Sequence, residues 1–216
     1  MIRTAPEGRW FIVGTWAVAV GLILMAARSG SPGWMVAAAV GLGLAVWVIA
    51  FFRDPERAWT RGDGLIVAPA DGKVVSVIEV DEPAFLAGRA RRVSIFMNVF
   101  DCHVNRYPTG GTVAYRHYHP GEFGHAGAEK ASLANEQASV GLATARGKLL
   151  VRQIAGLIAR RIVTDHQVGT AVHQGERLGM IRFGSRVDLF LPLATRVLVR
   201  VGQTTRVGVT VVAEWS

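Results

Sequence analysis

A single cysteine, Cys102, is present in 216 residues, so the chain has no internal disulfide and no Cys-x-x-Cys redox or metal pair. Such a lone thiol suits a reducing compartment and reads as structural rather than nucleophilic. Charge is sparse at 19% of residues, and acids are the scarcer sign, 16 against 24 Lys and Arg. Also missing are a Gly-x-Ser-x-Gly elbow, a Walker phosphate loop and a His-Glu-x-x-His helix, so those common hydrolase, nucleotide and zinc-peptidase signatures drop out. The close glycines of "GLGLAVW" (41–47) lie inside an apolar run and cannot form a dinucleotide loop. There is no internal repeat and no low-complexity segment.

What the chain has in excess is apolar sequence, 50% of residues with a mean hydropathy of +0.30. It is concentrated at the start. "WFIVGTWAVAVGLILMAA" (10–27) and "GWMVAAAVGLGLAVWVIAFF" (33–52) carry no charge. As helices they reach roughly 27 and 30 Å, close to a bilayer's hydrocarbon thickness. Both are apolar all round, and a second span directly behind the first argues against a cleaved signal peptide. Residues 1–52 therefore read as a helical membrane hairpin. Arg3 and Arg9 precede it, Arg53, Arg57 and Arg61 follow, and the connection holds only Arg28. Positive-inside counting puts both ends, and the domain 53–216, in the cytoplasm on the inner membrane. "FRDPERAW" (52–59) is then the exit from the bilayer, with Trp59 expected near the headgroups.

The net charge of 53–216 is +6 with His neutral. Its basic residues are scattered, without the aromatic-interleaved cluster of a nucleic-acid surface, so no nucleic-acid partner is expected. An anionic membrane accounts for the charge. Past residue 60 the apolar pattern becomes short and alternating: 73–80, 92–100, 111–118, 148–156, 185–192, 195–203 and 205–215 read as strands, with 122–137 a long loop or short helix. The fold class is mainly β, a compact barrel or sandwich-like domain behind the hairpin.

Two turns stand out. In "APADGKVV" (68–75), Asp71 can bond its own backbone and Gly72 can take positive φ. In "RFGSRVDLFLP" (182–192), Gly184–Ser185 opens an apolar strand; of eight serines only Ser31 and Ser185 follow a glycine. Each is an ordinary turn when taken alone. "HYH" sets His117 and His119 on one strand face. With His103 or His125 as a third ligand this admits a membrane-tethered zinc peptidase, although no His-x-x-x-Asp supplies the usual partner. A non-catalytic membrane-anchored β scaffold is the other rival. Lys130 and Glu136 are expected as solvated loop residues.

In order, "FFRDPER", "VAPADGKV", "IFMNVFDCHVNRYP", "GEF" with "EKASLANEQ", "QIAGLIARRI" and "GERLGMIRFGSRVDLFLP" resemble the phosphatidylserine decarboxylases, especially their short bacterial and archaeal branch, over nearly the whole chain. The resemblance implies a proenzyme that cuts itself between Gly184 and Ser185 into a β chain, 1–184, and an α chain, 185–216, which stay associated. Ser185 would become a covalent pyruvoyl cofactor that takes the amine of phosphatidylserine as a Schiff base and releases phosphatidylethanolamine. No metal is implied. Asp71 and His103 match the residues that activate the serine. Longer members carry a second histidine where this chain has Arg106, so either His103 does both jobs or His119 comes in from the neighbouring strand. Many members read Leu-Gly-Ser-Thr where this chain has Phe-Gly-Ser-Arg, which puts the surrounding contacts in question. Homo-oligomerisation is left open.

Overall fold

The computed structural model describes residues 3–121, 135–156, 161–182 and 185–216. Gly184, His125, Lys130 and nearly all of the loop expected over 122–137 lie outside them. The chain divides into two compact units, Met1–Glu56 and Arg57–Ser216.

The first unit is a helical hairpin. A short 3-10 turn, Pro6–Gly8, leads into α1 (Arg9–Ser29), and α2 spans Pro32–Phe51. Gly30 ends α1 in the left-handed conformation at φ 61°, and Pro32 opens α2 where its missing N–H costs nothing. Between the helices small residues are buried: Ala19, Ala26, Ala38 and Ala45. A Cβ on Gly41 would come within 2.7 Å of Leu22, so glycine there permits the close approach. Small-residue seams of this kind suit helices packed in lipid, where apolar bulk gives no drive to associate. The outer faces expose Trp10, Val18, Leu24, Val36 and Val40. Both helices are long and apolar enough to cross a membrane.

The second unit is mainly β. Its strands are β1 (Leu65–Val67), β2 (Gly72–Glu82), β3 (Gly88–Met97), β4 (Val104–Arg106), β5 (Gly111–His119), β6 (Gln137–Thr144), β7 (Gly147–Ala155), β8 (Ile162–Thr164), β9 (Ala171–Val172), β10 (Arg177–Ile181), β11 (Ser185–Pro192), β12 (Arg196–Val197), β13 (Thr204–Thr205) and β14 (Val211–Glu214). Eight form one sheet in the order β13-β2-β3-β11-β7-β6-β5-β9, which curls into a half-barrel. Two three-stranded sheets, β1-β14-β12 and β4-β10-β8, complete the unit. The described pairings are antiparallel, and β11 sits between β3 and β7 with a ladder on each side.

Alternation along β11 divides its two faces. Val187, Leu189 and Leu191 enter the main core with Val93, Ile95, Leu149 and Val151. Arg186, Asp188 and Phe190 point the other way, and they too are buried. That second face is covered by the segment after β2, where Phe85 and Leu86 pack with Ala90, Leu150 and Phe190.

Two expected strands differ. The stretch 195–203 is a strand only at Arg196–Val197, and 205–215 splits into β13 and β14. Gly202 and Gly208, at φ 91° and 69°, turn the chain in each. The turn at Gly202 hands both its N–H and the carbonyl of Gln203 to Val74, so the segment serves as an edge for β2. Conversely, β6 carries no strand signature. "QASVGLAT" is mostly small residues, yet it is buried and paired on both sides, so tertiary packing overrides weak local preference.

Candidate active site

Ser185 is the first residue of β11 and is fully buried. Its cross-strand partners are Met97, the last residue of β3, and Ala155, the last of β7. Paired residues share a face, so Ser185 points to the core side with them. Its hydroxyl lies 3.5 Å from the Met97 sulfur. A thioether is a weak acceptor, so the hydroxyl is not committed to a strong bond.

His103 enters from the second sheet, just before β4, and is also fully buried. Its carbonyl accepts from the N–H of Ile181, the end of β10, four residues before Ser185. Its Nδ1 is 3.0 Å from the carbonyl of Asp101. A carbonyl only accepts, so Nδ1 carries the proton, and in the neutral imidazole Nε2 holds the lone pair, the form that can act as a base.

Asp71 stands at the entry to β2. Gly72, beside it, has φ 145°, and a Cβ there would lie 2.2 Å from the Phe96 carbonyl, so β2 can meet the end of β3 only through glycine. The Asp71 carboxylate takes both guanidinium nitrogens of Arg57, at 2.6 and 2.7 Å, and the Val207 N–H at 2.7 Å. Among the described residues these are its partners. It does not touch His103, whose ring is held by Asp101 instead.

His119 ends β5. The row Lys73–Phe96–Arg186–Ile154–Gln137–His119 crosses the sheet one residue out of step with Ser185. His119 therefore belongs to the opposite face, three interstrand steps or about 14 Å along the sheet from β11. It is exposed, as is His117. The three histidines of the zinc alternative are thus split between faces. Among the described residues no three His, Cys, Asp or Glu side chains are grouped to hold a metal.

Arg106, at the position of the family's second histidine, is turned elsewhere. Its guanidinium stacks 4.5 Å above the Trp59 ring and donates to the Gly175 carbonyl at 3.0 Å. Trp59 is half-buried in the domain beneath that cation. Arg186, the other departure from the family pattern, points away from Ser185. It is 2% exposed and clasps the fully buried Asp188 through two bonds of 2.7 and 2.8 Å.

Sequence reasoning missed a buried polar chain on the core side. The amide nitrogen of Asn105 lies 3.7 Å from the Met97 sulfur, and its oxygen accepts from Gln153 at 2.8 Å. The Gln153 oxygen in turn accepts from Thr164 at 3.3 Å. Asn105 and Gln153 are fully buried, so the chain runs from the sulfur that Ser185 touches outward to β8. "HVNRYP" and "VRQIAG" each carry one amide in an apolar context, which was the available signal. Glu136, expected in solvent, is 5% exposed and accepts from the Tyr118 hydroxyl at 2.8 Å, which raises that phenol's pKa. Beside it, the Asn135 amide caps the Ala155 carbonyl at 2.7 Å. The segment 135–137 thus packs against the strand that pairs with Ser185.

Fold and site define a class: a mainly β domain behind an apolar helical hairpin, with a buried serine opening a central strand of the eight-stranded sheet and a buried histidine leading into the sheet β4-β10-β8. The comparisons specify it further. A family model described as phosphatidylserine decarboxylase matches residues 44–213. A phosphatidylserine decarboxylase proenzyme of Symbiobacterium thermophilum is 48% identical over 209 residues, covering 96% of this chain and 94% of that one. Proenzymes of the same name from Ruegeria pomeroyi and Cereibacter sphaeroides are 45% and 46% identical over 214 residues, covering 97% and 96% of this chain and 94% and 88% of theirs. The chain belongs to the phosphatidylserine decarboxylase family, whose members are carboxy-lyases.

Proposed function

We propose that this chain is a proenzyme that cuts itself at Gly184–Ser185 and then decarboxylates phosphatidylserine to phosphatidylethanolamine at the cytoplasmic face of the inner membrane. The observation that carries the reading is the position of Ser185, buried at the first residue of a strand laddered on both sides. A terminus created there stays fixed in the core, and the α chain 185–216 stays bound to the β chain 1–184 through those ladders. The Val207 N–H to Asp71 bond and the Thr205 hydroxyl to the Ala70 carbonyl would span the two products.

In the cleavage step, the Ser185 oxygen attacks the Gly184 carbonyl while His103 Nε2 takes the hydroxyl proton. The C–N bond breaks, and that proton passes to the departing amine of Ser185, leaving an ester. Loss of the Ser185 Cα proton then expels the Gly184 carboxylate, and water and loss of ammonia convert the resulting dehydroalanine. Asp71 serves in this reading as an anchored carboxylate, fixing the β2 entry through Arg57 and Val207, while Asp101 orients His103. The location of His119 on the far face favours His103 as the base.

Ser185 fits the pyruvoyl group it would become, since the Cβ hydroxyl that is lost has a thioether as its described partner, so the methyl left in its place forfeits no strong hydrogen bond, while the new carbonyl takes the place of the amine on Cα. That group supplies the electron sink that decarboxylation of an amino-acid headgroup needs. The hairpin keeps the domain with a substrate that does not leave the bilayer. The test is the intact mass of the purified protein beside a Ser185→Ala variant. Wild type is expected as two species split at 184/185, the smaller with a blocked amino terminus, and the variant as one full-length chain. A folded wild type of undivided mass would overturn the proposal.

A further inference from the structure

A cleft of about 740 Å³ opens between β5–β6 and β8. Two arginines line it, Arg116 and Arg161, together with Thr164 and Gln167, and no Asp or Glu is among its described lining residues. Val168 and the ring of Tyr118, whose hydroxyl is held by Glu136, are more than half exposed at 58% and 57% and form apolar parts of its wall. The pairing Arg116–Val140 and Tyr118–Ala138 sets these side chains on the same face of the sheet as Ser185. Ala138, in the cleft wall, pairs with Gln153, which pairs with Val187 on β11. The cleft is thus two interstrand steps, about 10 Å, from the strand that Ser185 begins. Its floor strand β8 pairs with β10, which leads to Ser185, and Thr164 is the outer end of the polar chain to Met97.

We propose that this cleft binds the phosphodiester of the lipid headgroup, with Arg116 and Arg161 as its cations and Tyr118 and Val168 toward the acyl side. The inference rests on the decarboxylase reading above and adds a substrate-binding site to it. Guanidinium groups match phosphate oxygens in pairs, and two of them with no Asp or Glu among the described lining residues favour an anion. An apolar wall beside them suits a ligand whose other end is a lipid. Holding the phosphate here leaves the serine amine of the headgroup free to reach toward Ser185.

The experiment uses the full-length protein in mixed micelles containing phosphatidylserine. Arg116→Gln/Arg161→Gln is compared with Arg61→Gln/Arg146→Gln, which removes the same charge from a cleft at the other end of β6. The first pair is expected to raise KM at least about tenfold with kcat within a few-fold, since each lost charge-assisted bond is worth that order. Inhibition by sn-glycerol 3-phosphate, present in wild type, is expected to weaken in parallel. The control pair should hold KM within about twofold. Equal KM rises in both pairs, which would reflect general attraction to anionic micelles, or no rise in the first, would overturn the proposal. Should the Gln pair fail to self-cleave, Arg116→Lys/Arg161→Lys keeps charge but loses the paired donors; a KM rise there supports the site and an unchanged KM overturns it. Wild type that stays full length overturns the decarboxylase reading, and the cleft's assignment with it.

Discussion

His103 carries the sharpest residue-scale expectation. Its Nδ1–H is held by the Asp101 carbonyl, so its lone pair is at Nε2, and a base of that kind contributes roughly 10²–10⁴ in rate. His103→Gln should slow self-cleavage by that order, followed as the decay of the full-length species after synthesis. His119→Gln, changing an exposed residue on the opposite face, should leave the decay unaltered. If the two variants slow equally, the assignment of the base is wrong. Asp71 shows how a motif and its geometry can part. "PADG" announces a turn and a carboxylate, and both are present, but the carboxylate's partners are Arg57 and Val207. Arg57 lies in "FRDPER", so that motif also serves the site.

At the scale of elements, β11 is buried on both faces and carries an ion pair on one of them. Arg186 and Asp188 are two residues apart on a strand and clasp each other, with the Arg92 guanidinium 3.9 Å from the same carboxylate. Nearby, Arg152 lies 3.6 Å from Glu82, and its guanidinium is 4.7 Å over the Phe190 ring; burial lowers its pKa, against the pull of Asp188 and Glu82. Removing one member of such a buried set strands the others. Asp188→Asn should therefore destabilise the full-length protein by about 3–5 kcal/mol, measured by urea unfolding in detergent. The double change Arg186→Met/Asp188→Leu should recover part of the loss, because Arg186 is then no longer stranded, although Arg92 still loses the carboxylate. A loss under 1 kcal/mol for the single variant would show the pair to be solvated. An arginine beside Ser185 looked like a departure from the family pattern; Asp188, on the same strand face, holds it through two hydrogen bonds.

At the scale of the whole molecule the open matter is sidedness. Five flanking arginines against one in the connection predict that both ends of the hairpin face the cytoplasm. In a Cys102→Ser background, a cysteine at Ser31 should react with an impermeant maleimide from outside intact cells, and one at Ser216 only after permeabilisation. The reverse pattern would reject the cytoplasmic assignment and, with it, the leaflet on which the substrate is met.

Apolar run length marked the two long helices from sequence, because a helix satisfies its backbone internally and 20 uncharged residues match a bilayer in length. Strand alternation settled the mainly β class, and the ordered motifs settled the family. These are local or compositional signals, which a linear reading can carry. Cross-strand register decided the rest. One residue of offset sends His119 to one face and Ser185 to the other, and no feature of "HYH" or "GSR" encodes that offset. The small-residue strand β6, the buried Asn105–Gln153 chain and the cleft of Arg116 and Arg161 likewise exist only once distant strands pair. Their side chains have no partner within their own segments; the sheet supplies it.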